Sequence, residues 1–520
     1  MLYSDREEAR DNNEVIKAVD KLSRKLRERL GDSLKQIRKG VRLDEATTPS
    51  LDALKLLSQA NRLTVQDDQR VQFLKEAIRL DDTFAFAYRT LGLTLYWRGG
   101  QADSTKKLLE KAYRLSDRLN ERERLQTIGT YHHFATKNYD AAIAAFEEVL
   151  SAYPRDFIAL DHLALLYHRK KNYSKCVEMS VRATQVTMGQ PSWREGLCLV
   201  DQGRLRDADV FFANLMHHRG VVEKPVTAWQ VTRMLADIER LQGKFDSAQA
   251  IFDRSAIEDT TTARSRATAL GSLALFNLLR GNVSRFPIVR RQADYWWIKS
   301  GADSAVANLR LGLWLTSLDL EVFQDRKRAA ARLASTLTNA PLTKIKPASR
   351  PYAWIASLQA RLGNTAAAEA NLAALEETGH LVHEEPGVDV PILRAMIAAN
   401  KGEFEIARQQ LQIADRLFMC PDCIEEYRAY MFEKAQQPDS VAAAWERYVL
   451  TPGTDLGSDA FLYPTALEWL AAYYDARRDT AKAARYYGML LDVWKDPDPP
   501  LRARWQRARN RLTELTAAHN

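Results

Sequence analysis

The chain has 520 residues, 46% of them hydrophobic and 27% charged, and 75 basic against 67 acidic side chains leave a net charge of +8. This excludes a mainly disordered chain, and the length is too great for one compact core, so the chain needs several domains or a repeat array. Gly (22) and Pro (17) are scarce and helix formers dominate, so the class is all-α.

In chain order, Val15, Val19, Leu22, Leu26, Leu30, Leu34 and Ile37 put one apolar stripe on a helix that begins after the cap-like Asp11-Asn12-Asn13. Its other faces are basic, with Lys17, Lys21, Lys25 and Arg38 among them, and the stripe is expected to pack on a neighbour rather than lie on a membrane. Thr47-Thr48-Pro49-Ser50 then stops one helix and caps the next, from Leu51. Tyr88, Leu91-Gly92 and Ala112 follow: a large residue and a Leu-Gly step on one helix, then a small residue on the next. Asn138-Tyr139-Asp140 opens a helix carrying Ala142 and Phe146 and ending at Pro154. In the next unit Leu160, Leu163-Ala164 and Tyr167 lead through the turn Lys171-Asn172 to Tyr173, Cys176 and Ala183, and Cys176 lies 34 residues after Ala142. That is one period of the tetratricopeptide type, two helices in about 34 residues crossing at small side chains.

Later units repeat the signal: Gly203 with Ala208 and Phe212, Gly243 with Ala248 and Phe252, Gly363 with Ala368 and Leu372, Gly402 with Ala407 and Leu411. Residues 264–337 keep helical periodicity without the signature and are expected to form helix pairs of no named type. Leu467, Leu470-Ala471, Tyr474, Ala483 and Tyr487 make a last unit, stopped by DPDPP before a basic, polar capping helix from Leu501 to about Thr516. The expected fold is an all-α, tetratricopeptide-like helix-pair solenoid, a right-handed superhelix in which pairs bury their stripes on their neighbours. Its divisions are an N-terminal helical segment (1–63), a first array (64–263), degenerate pairs (264–345) and a second array with its cap (346–520).

DNNEVIKAVDKLSRKLRERLGDSLKQIR, TTPSLDALKLLSQA and IRLDDTFAFAYRTLG together resemble the region after the sensor-like segment of large bacterial eukaryotic-like serine/threonine kinases, and the likeness extends to Cys420-Pro-Asp-Cys423 and QQPDSVAAAWERYV. In that family a kinase or another output domain is joined to a long tetratricopeptide array. This chain has no Gly-rich nucleotide loop, no His-Arg-Asp loop and no Asp-Phe-Gly, so kinase activity does not carry over. The chain is expected to begin where the upstream domain of the family ends, with 1–63 a remnant of that domain or a linker from it.

Cys420 and Cys423 have zinc-knuckle spacing and His380 and His383 form an HxxH upstream, but the ligand order is reversed across a gap of 36 residues, which disfavours a metal site. No thioredoxin-like strand–helix context surrounds the CxxC, so it reads as a turn, reduced or bridged according to compartment. Cys176 and Cys198 read as small core residues. His132-His133 and His217-His218 lack a nucleophile motif, and the aromatic residues of Arg290 to Trp297 read as helix core rather than a nucleic-acid stacking platform. The longest apolar stretch, around Ala267 to Leu279, carries Asn277 and is shorter than the ~18–20 residues of a membrane span. MLYSDREEARDNN has no apolar core behind a basic end, so no secretory signal is read and the expected location is cytoplasmic.

The expected function is therefore a non-catalytic, cofactor-free scaffold that takes up a protein or peptide segment, in bacterial signalling or regulation, with no nucleic acid as partner. The alternatives are the regulatory portion of a split or truncated kinase-type or transcription-regulating protein, and a metal- or thiol-dependent enzyme using Cys420 and Cys423. Groove positions of the first helices fall on Arg89, Leu93, Tyr96 and Trp97, then on Asp161, Leu165, His168 and Arg169. Their character is that of an aromatic and aliphatic surface with mixed charge.

Overall fold

The computed structural model describes residues 6–9, 14–29, 48–65, 67–98, 102–187, 193–217, 225–258, 262–378, 388–418, 420, 423–451, 453 and 455–517. Among them are 26 α-helices and no strand. The expected all-α helical-repeat solenoid is what these residues form. By contact they separate into two units, the described residues up to 168 with 178–187, and the described residues of 169–177 with those from 193 onward.

Unit 1 starts with α1 (Val15–Arg29). Of the expected stripe Val15 and Leu22 are half-buried while Val19 and Leu26 are exposed, and the buried side chain is Ile16, which lies off it. Asp11-Asn12-Asn13, Thr47, Leu30, Leu34 and Ile37 lie outside the described residues. Then come α2 (Leu51–Arg62) with α3 (Asp68–Leu80), α4 (Ala85–Trp97) with α5 (Ala102–Arg114), and α6 (Glu121–Phe134) with α7 (Tyr139–Ala152), followed by α8 (Phe157–Arg169). The sequence sets these boundaries through side-chain caps: Ser50 accepts from Ala53 N, Asp67 from Gln69 N, Asn120 from Glu123 N and Asn138 from Ala141 N. Ala53, Leu57, Leu74, Ala77, Phe84 and Leu91 join α2, α3 and α4 in one core. Helix α9 (Tyr173–Val186) is shared between the units at 177/178.

Unit 2 continues with α10 (Trp193–Asp201) and α11 (Leu205–Met216), α12 (Pro225–Leu241) and α13 (Phe245–Glu258), and α14 (Ala263–Leu279) and α15 (Arg285–Lys299). Helix α16 (Ser304–Ser317) runs into a π-helical turn, Leu318–Val322, before α17 (Arg326–Asn339). The later pairs are α18 (Tyr352–Arg361) with α19 (Thr365–Thr378), α20 (Asp389–Lys401) with α21 (Phe404–Leu417), α22 (Glu425–Lys434) with α23 (Pro438–Leu450), and α24 (Leu456–Ala476) with α25 (Thr480–Val493), closed by α26 (Pro499–Ala517). Second helices begin at Leu205, Phe245, Arg285 and Arg326, so the period here is 40 or 41 residues rather than 34.

One backbone device recurs. The turn inside each pair from α6–α7 onward holds a residue with positive φ: Lys137, Lys171, Gly203, Gly243, Gly281, Gln324, Gly363, Gly402, Gln436 and Arg478. In this left-handed cap the chain reverses while its last amides still reach helix carbonyls, as Arg204 N does to Leu199 O at 2.9 Å. The small residues Ala142, Cys176, Ala248 and Ala483 are all fully buried.

Unit 2 departs from strict neighbour packing. Helix α24 lies against α14, and one core cluster takes in Phe252, Phe276 and Phe286 together with Phe461, Tyr486 and Trp494. Arg240, itself buried, donates to Asp459 at 2.7 Å and to the Gly453 carbonyl at 2.8 Å, across more than 200 residues of sequence.

Candidate partner-binding face

Arg89, Leu93, Tyr96 and Trp97 stand at i, i+4, i+7 and i+8 of α4, which puts them on one stripe. The stripe faces α6. Arg89 donates from Nη1 to Thr127 Oγ1 at 3.1 Å, and to the Glu123 carbonyl and Gln126 Oε1 at 3.5 Å, while its guanidinium lies 4.4 Å from the centre of the Phe86 ring. Burial pulls the Arg89 guanidinium down to about 10, against the opposing pull of Glu123 and Asp156. Burial also raises Glu123 from the ordinary carboxylate range. Asp156 is held by Arg122 and by Gln126 Nε2 at 2.9 Å and caps α8 through Ala159 N.

The far end of the stripe is aromatic. Tyr96, Trp97 and Phe134 of α6 meet edge-on, with ring centres 5.1 Å (Tyr96–Trp97), 4.7 Å (Tyr96–Phe134) and 6.0 Å (Trp97–Phe134) apart. Trp97 is 38% exposed, Tyr96 and Leu93 are half-buried and Lys137 Nζ stands over the Tyr96 ring. Gly99 and Gly100 lie outside the described residues.

The second predicted set is less open. Asp161 is half-buried, whereas Leu165, His168 and Arg169 are buried, as Arg89 is on α4. The portion of the predicted face that reaches solvent is therefore Leu93, Tyr96, Trp97 and Asp161. Helix α6 supplies polar residues to which the spacing on α4 and α8 does not point. Gln126, Thr127 and Thr130 are buried polar residues on the helix between the two predicted stripes, and Thr130 satisfies itself on the Gln126 carbonyl at 2.7 Å. The available signal was the run of small hydroxyl residues in the first helices, Thr90 and Thr94 of α4 and Thr127 and Thr130 of α6.

His133 is buried with its Nδ1 3.5 Å from His162 Nδ1, and it stacks on Phe134. Burial lowers His132. His218, His380 and His383 lie outside the described residues. Cys420 and Cys423 are bridged to each other, so neither offers a free thiolate to a metal. Cys176 and Cys198 are core residues as expected, but they are also bridged, tying α9 to α10 with Cα atoms 6.2 Å apart. No helix among the described residues is long and apolar enough to cross a membrane.

The small-residue crossing of α6 and α7, where Gly129 meets Phe146, agrees with comparison to known proteins. Residues 125–156 match the tetratricopeptide repeat. Tetratricopeptide repeat protein 21A of Mus musculus is 30% identical over 122 residues, which is 24% of this chain and 9% of that protein. Among solved structures, a tetratricopeptide repeat protein from Parabacteroides merdae is 14% identical with a TM-score of 0.26, covering 73% of this chain and 99% of that one. The yeast Tom70 structure is also 14% identical, with a TM-score of 0.28 and coverage of 76% and 96%. A structure of Naa15/Naa10 bound to HypK-THB is 13% identical, with a TM-score of 0.22 and coverage of 90% and 79%. A tetratricopeptide repeat within stacked helix pairs supports a protein–protein interaction scaffold.

Proposed function

We propose that the chain binds a protein segment at the edge formed by Leu93, Tyr96 and Trp97 of α4, backed by the buried Phe134 of α6. The observation that carries this is the partly exposed Trp97 in an edge-on aromatic trio, the kind of rigid anchor that dominates interface energetics. Arg89 supports the edge from below by fixing α4 on α6, and the partner's contribution is apolar side chains. A signalling or regulatory setting rests on the kinase-type resemblance of the N-terminal residues. The two bridged cysteine pairs favour an oxidising compartment over the cytoplasmic one expected from sequence.

The test begins with a partner captured by the intact chain. Tyr96→Ala with Trp97→Ala is expected to weaken that partner by at least ~2 kcal/mol with helicity unchanged. Unchanged affinity with lowered stability would show that Trp97 only covers the core, and would remove the assignment.

A further inference from the structure

Helix α15 has two sides. Its inner side is fixed: Phe286, Val289 and Ala293 are buried, and buried Asp294 is held by Arg290 at 2.6 Å. On the outer side Ile288 is 55% exposed, Tyr295 54% and Ile298 37%. Spacings of seven and then three residues line them along one helix face. Single exposed apolar residues are ordinary, but a line of three with an aromatic at its centre marks an interaction surface.

The exposed charge that α15 itself carries has one sign. Arg285, Arg291 and Lys299 are exposed on α15, and its single carboxylate is the inward Asp294. Arg285 approaches Asp253 of α13 at 3.7 Å, and one turn beyond Asp253 stands Ile257, 74% exposed.

We infer that this face of α15 docks an acidic amphipathic helix of another protein, with the partner's apolar stripe on Ile288, Tyr295 and Ile298 and its carboxylates on Arg285, Arg291 and Lys299. Helix-on-helix burial supplies the contact, and the cations set partner choice and orientation. A second copy of this chain fits poorly, because two-fold pairing sets the same three cations against one another. The inference is independent of the α4–α6 edge, since it uses a different surface in unit 2.

The test uses the full chain and labelled synthetic peptides of about 18 residues, five helical turns. One carries Leu on one face and Glu on the flanks, a second has Lys for Glu, and a third has the Glu peptide's composition with the Leu positions scrambled. Fluorescence anisotropy should show the Glu peptide binding at least about tenfold more tightly than either control, with the gap narrowing as salt rises. Hydrogen exchange should slow at residues 285–299. Ile288→Ser with Tyr295→Ser, exposed positions that leave the fold intact by circular dichroism, should cut affinity about tenfold or more. Arg291→Glu with Lys299→Glu should reverse the preference between the Glu and Lys peptides. Equal binding of the scrambled peptide, protection elsewhere, or unchanged affinity in the Ser variant would overturn the inference. So would self-association by sedimentation velocity that Ile288→Ser abolishes, or preferred binding to vesicles of anionic lipid.

Discussion

Gly129→Ala puts two known effects in opposition. In a helix interior the substitution stabilises by about 1 kcal/mol, because Gly loses more backbone entropy on folding than Ala does. Against this, a Cβ at Gly129 would lie 2.7, 2.8 and 2.9 Å from three carbons of the Phe146 ring. That ring has no room to retreat: Phe146 is fully buried and stacked on His162 with centres 4.6 Å apart. Overpacking of this kind costs ~1–3 kcal/mol, and three contacts this short put the cost toward the upper end. The net expectation is a loss of roughly 1–2 kcal/mol, read as a lower urea midpoint for unit 1, followed by helical signal and by hydrogen exchange in α6 and α7. Phe146→Leu in the Gly129→Ala background should recover part of the loss, giving a coupling of about 1 kcal/mol in a double-mutant cycle. A stabilised Gly129→Ala protein, with no coupling to position 146, would refute the close crossing on which the repeat assignment rests.

Ala142→Leu should also overpack, lowering stability by roughly 1–3 kcal/mol, because Ala142 is fully buried at the same α6–α7 crossing; an unchanged melting temperature would count against it. Reduction of the Cys176–Cys198 bridge, with partners 22 residues apart, should lower stability by about 3 kcal/mol on the chain-entropy account, and more than loss of the Cys420–Cys423 bridge, which closes a three-residue separation. Glu426 is buried and raised to about 7, chiefly by burial and against the pull of Arg361, so the folded state binds its proton more tightly than the unfolded chain. Its contribution is therefore full below about pH 4.5 and lost as pH rises through about 7, and Glu426→Gln should flatten that decline in urea midpoints measured across the window.

Four of the helix pairs were legible from a local mark at their turns: Gly203, Gly243, Gly363 and Gly402 take the positive φ that these positions demand. Gln324, Gln436 and Arg478 do the same task with no such mark, since no residue type announces a left-handed cap as Gly does. The candidate groove positions rest on spacing along α4 and α8, and spacing cannot say what lies opposite. Arg89 looked like an accessible charge and is instead closed in by α6, whose Gln126 and Thr127 carry no apolar signature. The Cys176–Cys198 bridge escaped for a related reason. A cysteine at a crossing reads as a small residue until its neighbour across the next helix is known.

The largest departure from sequence expectation is energetic. In an open array stability is a sum of repeat terms and nearest-neighbour terms, so the array can unravel from an end. Unit 2 adds contacts between repeats far apart in the chain. Arg280 donates to the Asp492 carbonyl at 2.8 Å, Ser284 N to Asp498 at 2.7 Å, Thr465 to the Glu321 carbonyl at 3.2 Å, and Arg504 to the Val322 carbonyl. Several of these acceptors are backbone carbonyls at helix ends or in the π turn, which the local hydrogen-bond ladder leaves available. The Arg240–Asp459 pair belongs to the same seam, and burial raises Asp459 to about 6 despite the opposing pull of Arg240. A buried pair of that kind contributes little net stability, yet removing one partner strands the other charge in the core. This pair joins α24 to α12, beside the packing of α24 on α14. Fraying of the last repeats would expose Phe276 and Phe286 and leave Arg240 with Asp237 alone, 3.5 Å away, so loss of the C-terminal pairs is expected to bring loss of α12 to α15 with it. Cooperativity in unit 2 is therefore expected to come from the seam, with hydrogen exchange in α12 to α15 lost together with that in α24 and α25 rather than in order of sequence.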